Sequence, residues 1–210
     1  MWVVKGVEME FIAFDLETTG TQPGADAIVE IGAVRFNGSR SVESFGKLVH
    51  PGVPIPAEAS RVNGITDEMV KDAPRIEEVM NAFADFCGSL PLVAHNASFD
   101  YKFYLADVKR LQAPAPKGPV LDTLSLARKV FPGLANYKLW TLVRHFEFPS
   151  GTFHRAEEDS TYCGLLFAKI IETLEKRGEA LTVENFSSWM GREAVYFPQF
   201  KQDEDQLDLF

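Results

Sequence analysis

The chain has 210 residues, and its 21 Lys and Arg against 30 Asp and Glu give a formal net charge of −9. Two cysteines exclude a disulfide-dense secreted scaffold and a zinc site built from cysteines, and the start of the chain lacks the apolar core of a signal peptide. No segment approaches the ~20 apolar residues of a membrane span, so we expect a cytoplasmic protein. On charge alone a nucleic-acid partner is disfavoured, because proteins that bind polyanions usually carry a basic surface.

The first half of the chain predicts three strands followed by helices. The apolar run 11–16 indicates a buried strand that ends in the loop sequence TTGTQPG. Segments 28–36 and 42–50 predict a hairpin around the turn Asn37-Gly38. Helical patterns then follow at about 57–63, 67–71 and 75–87.

The second half alternates between strands and helices. Short strands are predicted at 91–96 and 120–122, and helices at about 98–112, 123–131, 138–146 and 156–177. Three strands followed by this alternation predict an α/β fold, a mixed five-stranded sheet with helices on both faces. Beyond Gly178, the sequence predicts a short helix with Phe186, Trp189 and Met190 on one face. Thr182 before it and Gly191 after it are the predicted caps.

Asp15 and Glu17 are the first candidate site residues. They are two apart at the end of an apolar strand, so both carboxylates point to the same face of the sheet. Two such close carboxylates repel each other unless a cation compensates them, and a divalent metal supplies that compensation. The alternative is a solvated pair at the end of a strand.

Asp100 is the second candidate. It follows the strand 91–96, and the carboxyl ends of strands in α/β sheets are where such folds bind ligands. The alternative is an acidic residue in the first turn of a helix, where the helix dipole stabilises it.

His154 and Asp159 form the third cluster. Five residues on a continuous helix span about 500°, which leaves the two side chains about 140° apart. They converge on one site most easily if His154 lies on the loop before the helix. Taken alone, a histidine beside a helix start is an ordinary surface or capping residue.

Together these clusters resemble the motifs of the DEDDh 3′→5′ exonucleases, which have an RNase H-like fold. The segments that carry the resemblance are Asp15-Leu16-Glu17-Thr18-Thr19-Gly20, His95-Asn96-Ala97-Ser98-Phe99-Asp100 and His154-Arg155-Ala156-Glu157-Glu158-Asp159. Their order and separations match, the resemblance covers about residues 10–176, and the histidine of the third motif is typical of the His branch.

The resemblance implies a two-metal mechanism. Asp15, Glu17, Asp100 and Asp159 resemble the family's ligands for two Mg²⁺ or Mn²⁺ ions, with Asp15 as the bridge. His154 is similar to the general base that deprotonates the attacking water, and the product is a 5′-nucleoside monophosphate.

The resemblance also indicates substrate contacts. The backbone around Thr18, Thr19 and Gly20 lies where the family seats the terminal nucleotide. The segment Asn63-Gly64-Ile65-Thr66 is similar to one whose apolar residue packs against the terminal base, with Asn63 in place of the usual histidine. Ile65 and Phe99 are therefore candidates for base contacts, and a buried anchor and core packing are their respective alternatives.

The last residues of the chain resemble the pentapeptide with which bacterial proteins bind the replicative sliding clamp. An acidic segment ends in Gln206, Leu207, Asp208, Leu209 and Phe210. Exposed apolar clusters usually mark binding sites, and Leu207, Leu209 and Phe210 would dock in a groove. The alternative is a tail that folds back onto its own domain.

These features predict an exonuclease domain at 8–177, a C-terminal extension at 178–202 and a clamp-binding tail at 203–210. We expect a proofreading-type DNA exonuclease, associated with the bacterial nucleoid, that binds DNA 3′ ends and the sliding clamp. Residues 178–200 either bind the polymerase catalytic subunit or complete the core of a stand-alone enzyme. An RNA-trimming exonuclease or oligoribonuclease of the same family, and an inactive module that binds DNA ends and the clamp, are the alternatives. Two bound divalent ions would offset part of the net negative charge, and the acidic tail carries another part of it. The net charge of the chain therefore does not exclude binding to DNA.

Overall fold

The computed structural model describes residues 9–149 and 155–200. Its strands are β1 (Glu10–Thr18), β2 (Ile28–Asn37), β3 (Arg40–Leu48), β4 (Leu92–Ala94) and β5 (Val120–Asp122). Its helices are α1 (Ala57–Asn63), α2 (Asp67–Val70), α3 (Ile76–Cys87), α4 (Ser98–Leu111), α5 (Thr123–Val130), α6 (Leu139–His145), α7 (Ala156–Lys176) and α8 (Val183–Met190). In the described ranges no helix has both the length and the apolar character needed to cross a membrane.

The sheet is mixed and five-stranded, with the order β3-β2-β1-β4-β5. β1 is antiparallel to β2 and parallel to β4, and β4 is parallel to β5. β1 is therefore the central strand, and its carboxyl end lies at the same end of the sheet as those of β4 and β5. This confirms the predicted fold class.

Alternation along β1 divides the core into two layers. Ile12, Phe14 and Leu16 belong to the apolar cluster that includes residues of α3 and α4. Phe11 and Ala13 belong to the cluster formed with α5, α7 and α8 on the opposite face. The helices therefore cover both faces of the sheet, as the order of elements predicts.

The third strand is shifted from the predicted 42–50 to Arg40–Leu48, and two other strand ends that differ from the sequence prediction lie next to site residues. β1 continues past residue 16, because Glu17 still pairs with Glu30 and Thr18 with Ile28 after an irregularity in the register. β4 ends at Ala94, and Asn96 then turns the chain with a φ of 71°, a left-handed conformation that a strand does not contain. Both differences fall at the end of the sheet where the site is predicted.

Residues 178–200 pack against the same core. Phe186 and Met190 of α8 are buried with α5 and α7, and Phe197 is buried with α3 and α4. The N–H of Val120 in β5 donates to the carbonyl oxygen of Val195 at 2.8 Å, so this segment covers the outer edge of β5.

Candidate active site

β1 presents Asp15 and Glu17 on the face of the sheet that α7 covers. Phe11 and Ala13 of the same strand enter the core beneath α7. Because side chains alternate along a strand, the two carboxylates share that face, as predicted. Both are half-buried, and Asp15 is paired in register with Gly32 of β2.

The first turn of α7 lies directly against β2 and carries Asp159. A Cβ atom added to Gly32 would lie 2.1 Å from the α7 backbone, so only glycine permits this approach. The Ser160 hydroxyl donates to the Gly32 carbonyl oxygen at 2.9 Å and fixes the contact. As a result, one carboxylate oxygen each of Asp15, Glu17 and Asp159 lies within 4.8 Å of the others.

Glu30, which the sequence reasoning missed, anchors the start of α7. Its side chain is 5% exposed, and the Arg155 guanidinium donates to it at 2.7 Å. It also accepts a hydrogen bond from the Ala156 N–H at 3.1 Å. Because Glu30 pairs in register with Glu17, this anchor fixes α7 beside the carboxylates of β1. The signal in the sequence was a charged residue inside the apolar run IVEIGAV, since a buried carboxylate requires partners.

Asp100 reaches β1 from α4, on the other face of the sheet. It is the third residue of α4 and only 3% exposed. Its Oδ1 atom accepts a hydrogen bond from the N–H of Leu16 at 3.2 Å, between the two carboxylates of β1. Asp100 lies close enough for its charge to raise the pKa of Asp15.

Asp122 at the end of β5 holds the turn that leads to Asp100. Its Oδ1 atom accepts hydrogen bonds from the N–H groups of Asn96 at 3.0 Å and Ala97 at 3.2 Å. Its other oxygen pairs with Arg192 at 2.9 Å, which joins the C-terminal extension to the site. The sequence reasoning missed this residue too, although it follows a buried strand at the carboxyl end of the sheet.

The carboxylates of the site disfavour one another's ionisation. Burial, and then the charges of Asp100 and Glu17, raise the pKa of Asp15 well above its usual value. Burial, with the charge of Asp159 second, raises the pKa of Glu17 to about 7, and burial raises that of Asp100 to about 8. Such a set retains protons near neutral pH unless a cation replaces them, and carboxylate oxygens are the ligands that Mg²⁺ and Mn²⁺ prefer. The residues present therefore fit a divalent metal centre.

The loop after β1 uses both threonine hydroxyls to hold its own shape. The hydroxyl of Thr18 donates to the carbonyl oxygen of Gly20 at 2.5 Å. The hydroxyl of Thr19 accepts a hydrogen bond from the N–H of Ala27 at 2.9 Å. Both side chains are buried, so the loop presents a fixed backbone beside the carboxylates. Contact of this segment with a nucleotide stays a prediction.

Asn63 connects the second loop to the site. Its side-chain amide donates to the carbonyl oxygen of Thr18 at 3.3 Å, and its hydrogen bond with Glu17 lowers the pKa of that carboxyl. Its side-chain oxygen accepts from the N–H of Ile65 at 3.0 Å. The sequence reasoning singled out the wider segment, but it did not anticipate this role for Asn63.

The two candidates for base contacts have different environments. Ile65 is fully buried in a small cluster with Val29 and Val70, so its side chain anchors this loop to the sheet. Phe99 is half-buried, and its ring centroid lies 4.8 Å from that of Phe103. Base contacts by Ile65 and Phe99 stay predictions.

Five of the predicted site residues lie outside the described residues. They are His154, Gln206, Leu207, Leu209 and Phe210. The described chain resumes at Arg155, the N-cap residue of α7, which Glu30 holds.

Comparison with protein families identifies the domain. The family model described as Exonuclease matches residues 12–167, from within β1 to within α7. The chain belongs to the exonuclease family. The match begins just before Asp15 and ends after Asp159, so it includes every carboxylate of the site.

Curated relatives of this exonuclease domain are replication proteins. The chain is 39% identical over 163 residues to the DNA polymerase III subunit epsilon of Treponema pallidum, a match that covers 77% of this chain and 76% of the relative. It is 38% identical over 164 residues to the epsilon subunit of Aquifex aeolicus, covering 78% of this chain and 81% of the relative.

Larger relatives and a solved structure extend the comparison. Identity is 42% over 187 residues to the PolC-type DNA polymerase III of Caldanaerobacter subterraneus, where 89% of this chain matches only 13% of the relative's length. A structure of exonuclease X in complex with 5′ overhanging duplex DNA is similar with a TM-score of 0.68 and 31% identity, covering 87% of this chain and 99% of that one.

Proposed function

We propose that this exonuclease domain is a divalent-metal-dependent 3′→5′ exodeoxyribonuclease that releases 5′-nucleoside monophosphates from DNA 3′ ends in proofreading or repair. The observation that carries the proposal is the convergence of Asp15, Glu17 and Asp159 within 4.8 Å, with Asp100 bonded behind them to β1. The names of the epsilon relatives and the DNA in the exonuclease X structure support DNA as the substrate.

Four carboxylates would hold the metal. Asp15, Glu17, Asp100 and Asp159 would bind two Mg²⁺ or Mn²⁺ ions. When bound, such ions orient the attacking water and stabilise the charge on the leaving 3′ oxygen. Glu30 and Arg155 fix the first turn of α7, so Asp159 stays aligned with the carboxylates of β1 during the reaction.

His154 would supply the general base. It immediately precedes Arg155, whose guanidinium donates to Glu30 at 2.7 Å, so the next residue of the chain is held at the start of α7. A neutral imidazole has a pKa near working pH, so one ring nitrogen can take a proton from the attacking water.

The loop after β1 and the loop between α1 and α2 would position the 3′ nucleotide. The backbone at Thr18 and Thr19, which the two threonine hydroxyls hold in shape next to the carboxylates, would lie beside the terminal nucleotide. Ile65 would support the terminal base through its own loop between α1 and α2, and Phe99 would pack beside a base.

The tail would bring the domain to replicating DNA. Gln206, Leu207, Leu209 and Phe210 would bind the sliding clamp, which raises the effective concentration of the nuclease near DNA ends. The catalytic subunit of the polymerase is a second proposed partner. Deletion of Leu209 and Phe210 should abolish clamp binding in surface plasmon resonance, and unchanged binding would contradict the role of the tail.

Digestion of matched oligonucleotides tests the proposed activity. Single-stranded DNA, single-stranded RNA of the same sequence and a mismatched primer–template, each with a 5′ fluorophore, are incubated with Mg²⁺. We expect stepwise shortening from the 3′ end of DNA, mononucleotides in the mass spectrum and hydrolysis by Asp15→Asn slower on the order of a thousandfold. Internal cuts, shortening from the 5′ end or faster digestion of the RNA would contradict the proposal.

A further inference from the structure

α5 and α6 differ in charge from the rest of this acidic chain. Residues 123–146 contain four Lys and Arg and no Asp or Glu, in a protein whose net charge is −9. Among the described residues, Arg128, Lys138 and Arg144 make no salt bridge within 4.0 Å. These cations therefore retain their charge for a partner outside the domain.

Aromatic rings accompany these cations. Trp140 is 44% exposed, which is unusual for so large an apolar side chain, and the guanidinium of Arg144 lies 5.0 Å from its ring centroid. The guanidinium of Arg128 lies 6.0 Å from the ring centroid of Tyr137. We call Arg128, Lys138, Trp140 and Arg144 the basic face.

A half-buried histidine connects the basic face to the catalytic end of the sheet. The Nε2 atom of His95 donates to the carbonyl oxygen of Tyr137 at 2.7 Å, and its Nδ1 lies 3.0 Å from the hydroxyl of Thr123. His95 follows β4 directly and precedes the turn that leads to Asp100. Lys138, the residue after Tyr137, therefore begins a surface that adjoins the site.

We infer that the basic face binds the DNA strand upstream of the 3′ end, with Lys138 and Arg144 on phosphates and Trp140 against a base. This inference rests on the proposed function and names a second contact region for the same substrate. The carboxylate site would engage only the terminal phosphodiester, through the metal ions that it would hold, and an acidic domain needs a local positive surface to retain the rest of a polyanion. Cations beside an exposed aromatic ring suit single strands, since bases stack on the ring while phosphates meet the charges.

The test compares two double variants with equal changes in charge. Lys138→Glu/Arg144→Glu reverses the basic face. Arg40→Glu/Lys109→Glu reverses two exposed cations elsewhere that also make no salt bridge in the described chain. Arg40 pairs with Asn37 at the end of the sheet opposite the site, and Lys109 lies nine residues along α4 from Asp100, roughly 14 Å away.

Two substrates separate binding of the strand from chemistry. One is a single-stranded oligonucleotide, and the other is the p-nitrophenyl ester of thymidine 5′-monophosphate, which has no upstream strand. We expect the basic-face variant to raise KM for the oligonucleotide about tenfold and to reduce the slope of log KM against log salt by about 1.4, or ~0.7 per lost phosphate contact. Activity on the ester should match the wild type within about twofold, and the control variant should have little effect on either substrate.

Trp140 provides an independent arm. Trp140→Ala should raise KM for the oligonucleotide about tenfold with no change in the salt slope, and Trp140→Phe should restore most of the affinity because it retains a stacking surface. An equal rise in KM for the oligonucleotide in both double variants would overturn the inference, and so would loss of activity on the ester in the basic-face variant. Unchanged kinetics on DNA together with a change in self-association of the basic-face variant would also overturn it. If the wild-type protein hydrolyses neither substrate, the proposed function itself fails.

Discussion

Two sets of carboxylates at the same end of the sheet have opposite environments. The side chains of Glu30 and Asp122 are each 5% exposed, and each pairs with an arginine and accepts backbone N–H groups. In the described ranges, Asp15 and Glu17 have no salt bridge to lysine or arginine, and burial and neighbouring carboxylates raise their pKa values.

The difference separates carboxylates that stabilise the fold from carboxylates that are arranged to bind a ligand. A buried carboxylate with an arginine and backbone donors has its desolvation compensated within the protein. Carboxylates that face one another have no such compensation. Their repulsion and desolvation therefore destabilise the folded protein until protons or metal ions bind. Substitution in the first set should damage the scaffold, and substitution in the second should remove activity while it relieves repulsion.

Asp15→Asn should produce the largest effect on activity. The hydrolysis rate should fall on the order of a thousandfold, because one of the carboxylates that would hold the metal is lost. Without metal, the melting temperature at about pH 8 should rise, because one charge is removed from a crowded site. Glu43→Gln, an exposed partner of Arg35, is the control and should change neither quantity. Full activity of Asp15→Asn would contradict the assignment of the metal site.

Glu30→Ala should damage both stability and activity. The change leaves the Ala156 N–H without its acceptor and should lower the free energy of unfolding by about 1–3 kcal/mol. Because α7 then positions Asp159 less accurately, hydrolysis should fall about 10–100-fold, as is typical when a partner behind a metal ligand is removed. Glu30→Gln keeps an acceptor oxygen and should recover part of both losses. A lower stability with unchanged kcat would limit Glu30 to a structural role.

Arg192→Ala should have a smaller effect. Its side chain is 45% exposed, and Asp122 keeps its hydrogen bonds to Asn96 and Ala97 when the arginine is removed. We expect a loss of about 1 kcal/mol in denaturant unfolding and only a few-fold slower hydrolysis. A loss as large as that of Glu30→Ala would show that the extension controls the site directly.

The pH dependence of stability without metal should be the mildest effect. Raised pKa values of about 7 for Glu17 and about 8 for Asp100 mean that the folded protein binds more protons than the unfolded chain, whose carboxyls titrate near pH 4. This stabilisation is complete below about pH 4 and is lost as the pH rises through 7 and 8. The melting temperature in a chelator should fall by a few degrees between about pH 6 and pH 9. Addition of Mn²⁺ should raise the melting temperature more at about pH 9 than at about pH 6. A melting temperature that rises over this interval would contradict the pKa assignments.

The sequence predicted the positions of the secondary-structure elements and the shared face of the β1 carboxylates better than it predicted contacts between distant segments. Apolar runs and turn residues located the strands, and the spacing of Asp15 and Glu17 placed them on one face, because these features depend on local periodicity. The pairing of Glu30 with Arg155 joins residues 125 apart, and that of Asp122 with Arg192 depends on how the extension folds back across β5. Val195 makes only an isolated bridge to Val120, so the segment has no strand pattern to detect.

Calorimetric titration of the metal-free protein with Mn²⁺ at about pH 8 tests the central claim most directly. The account predicts that the wild-type protein binds Mn²⁺ with release of protons, since the metal replaces protons on carboxylates whose pKa values are raised, and that Asp15→Asn loses this binding. Equal Mn²⁺ affinity and proton release for the wild type and Asp15→Asn would contradict it.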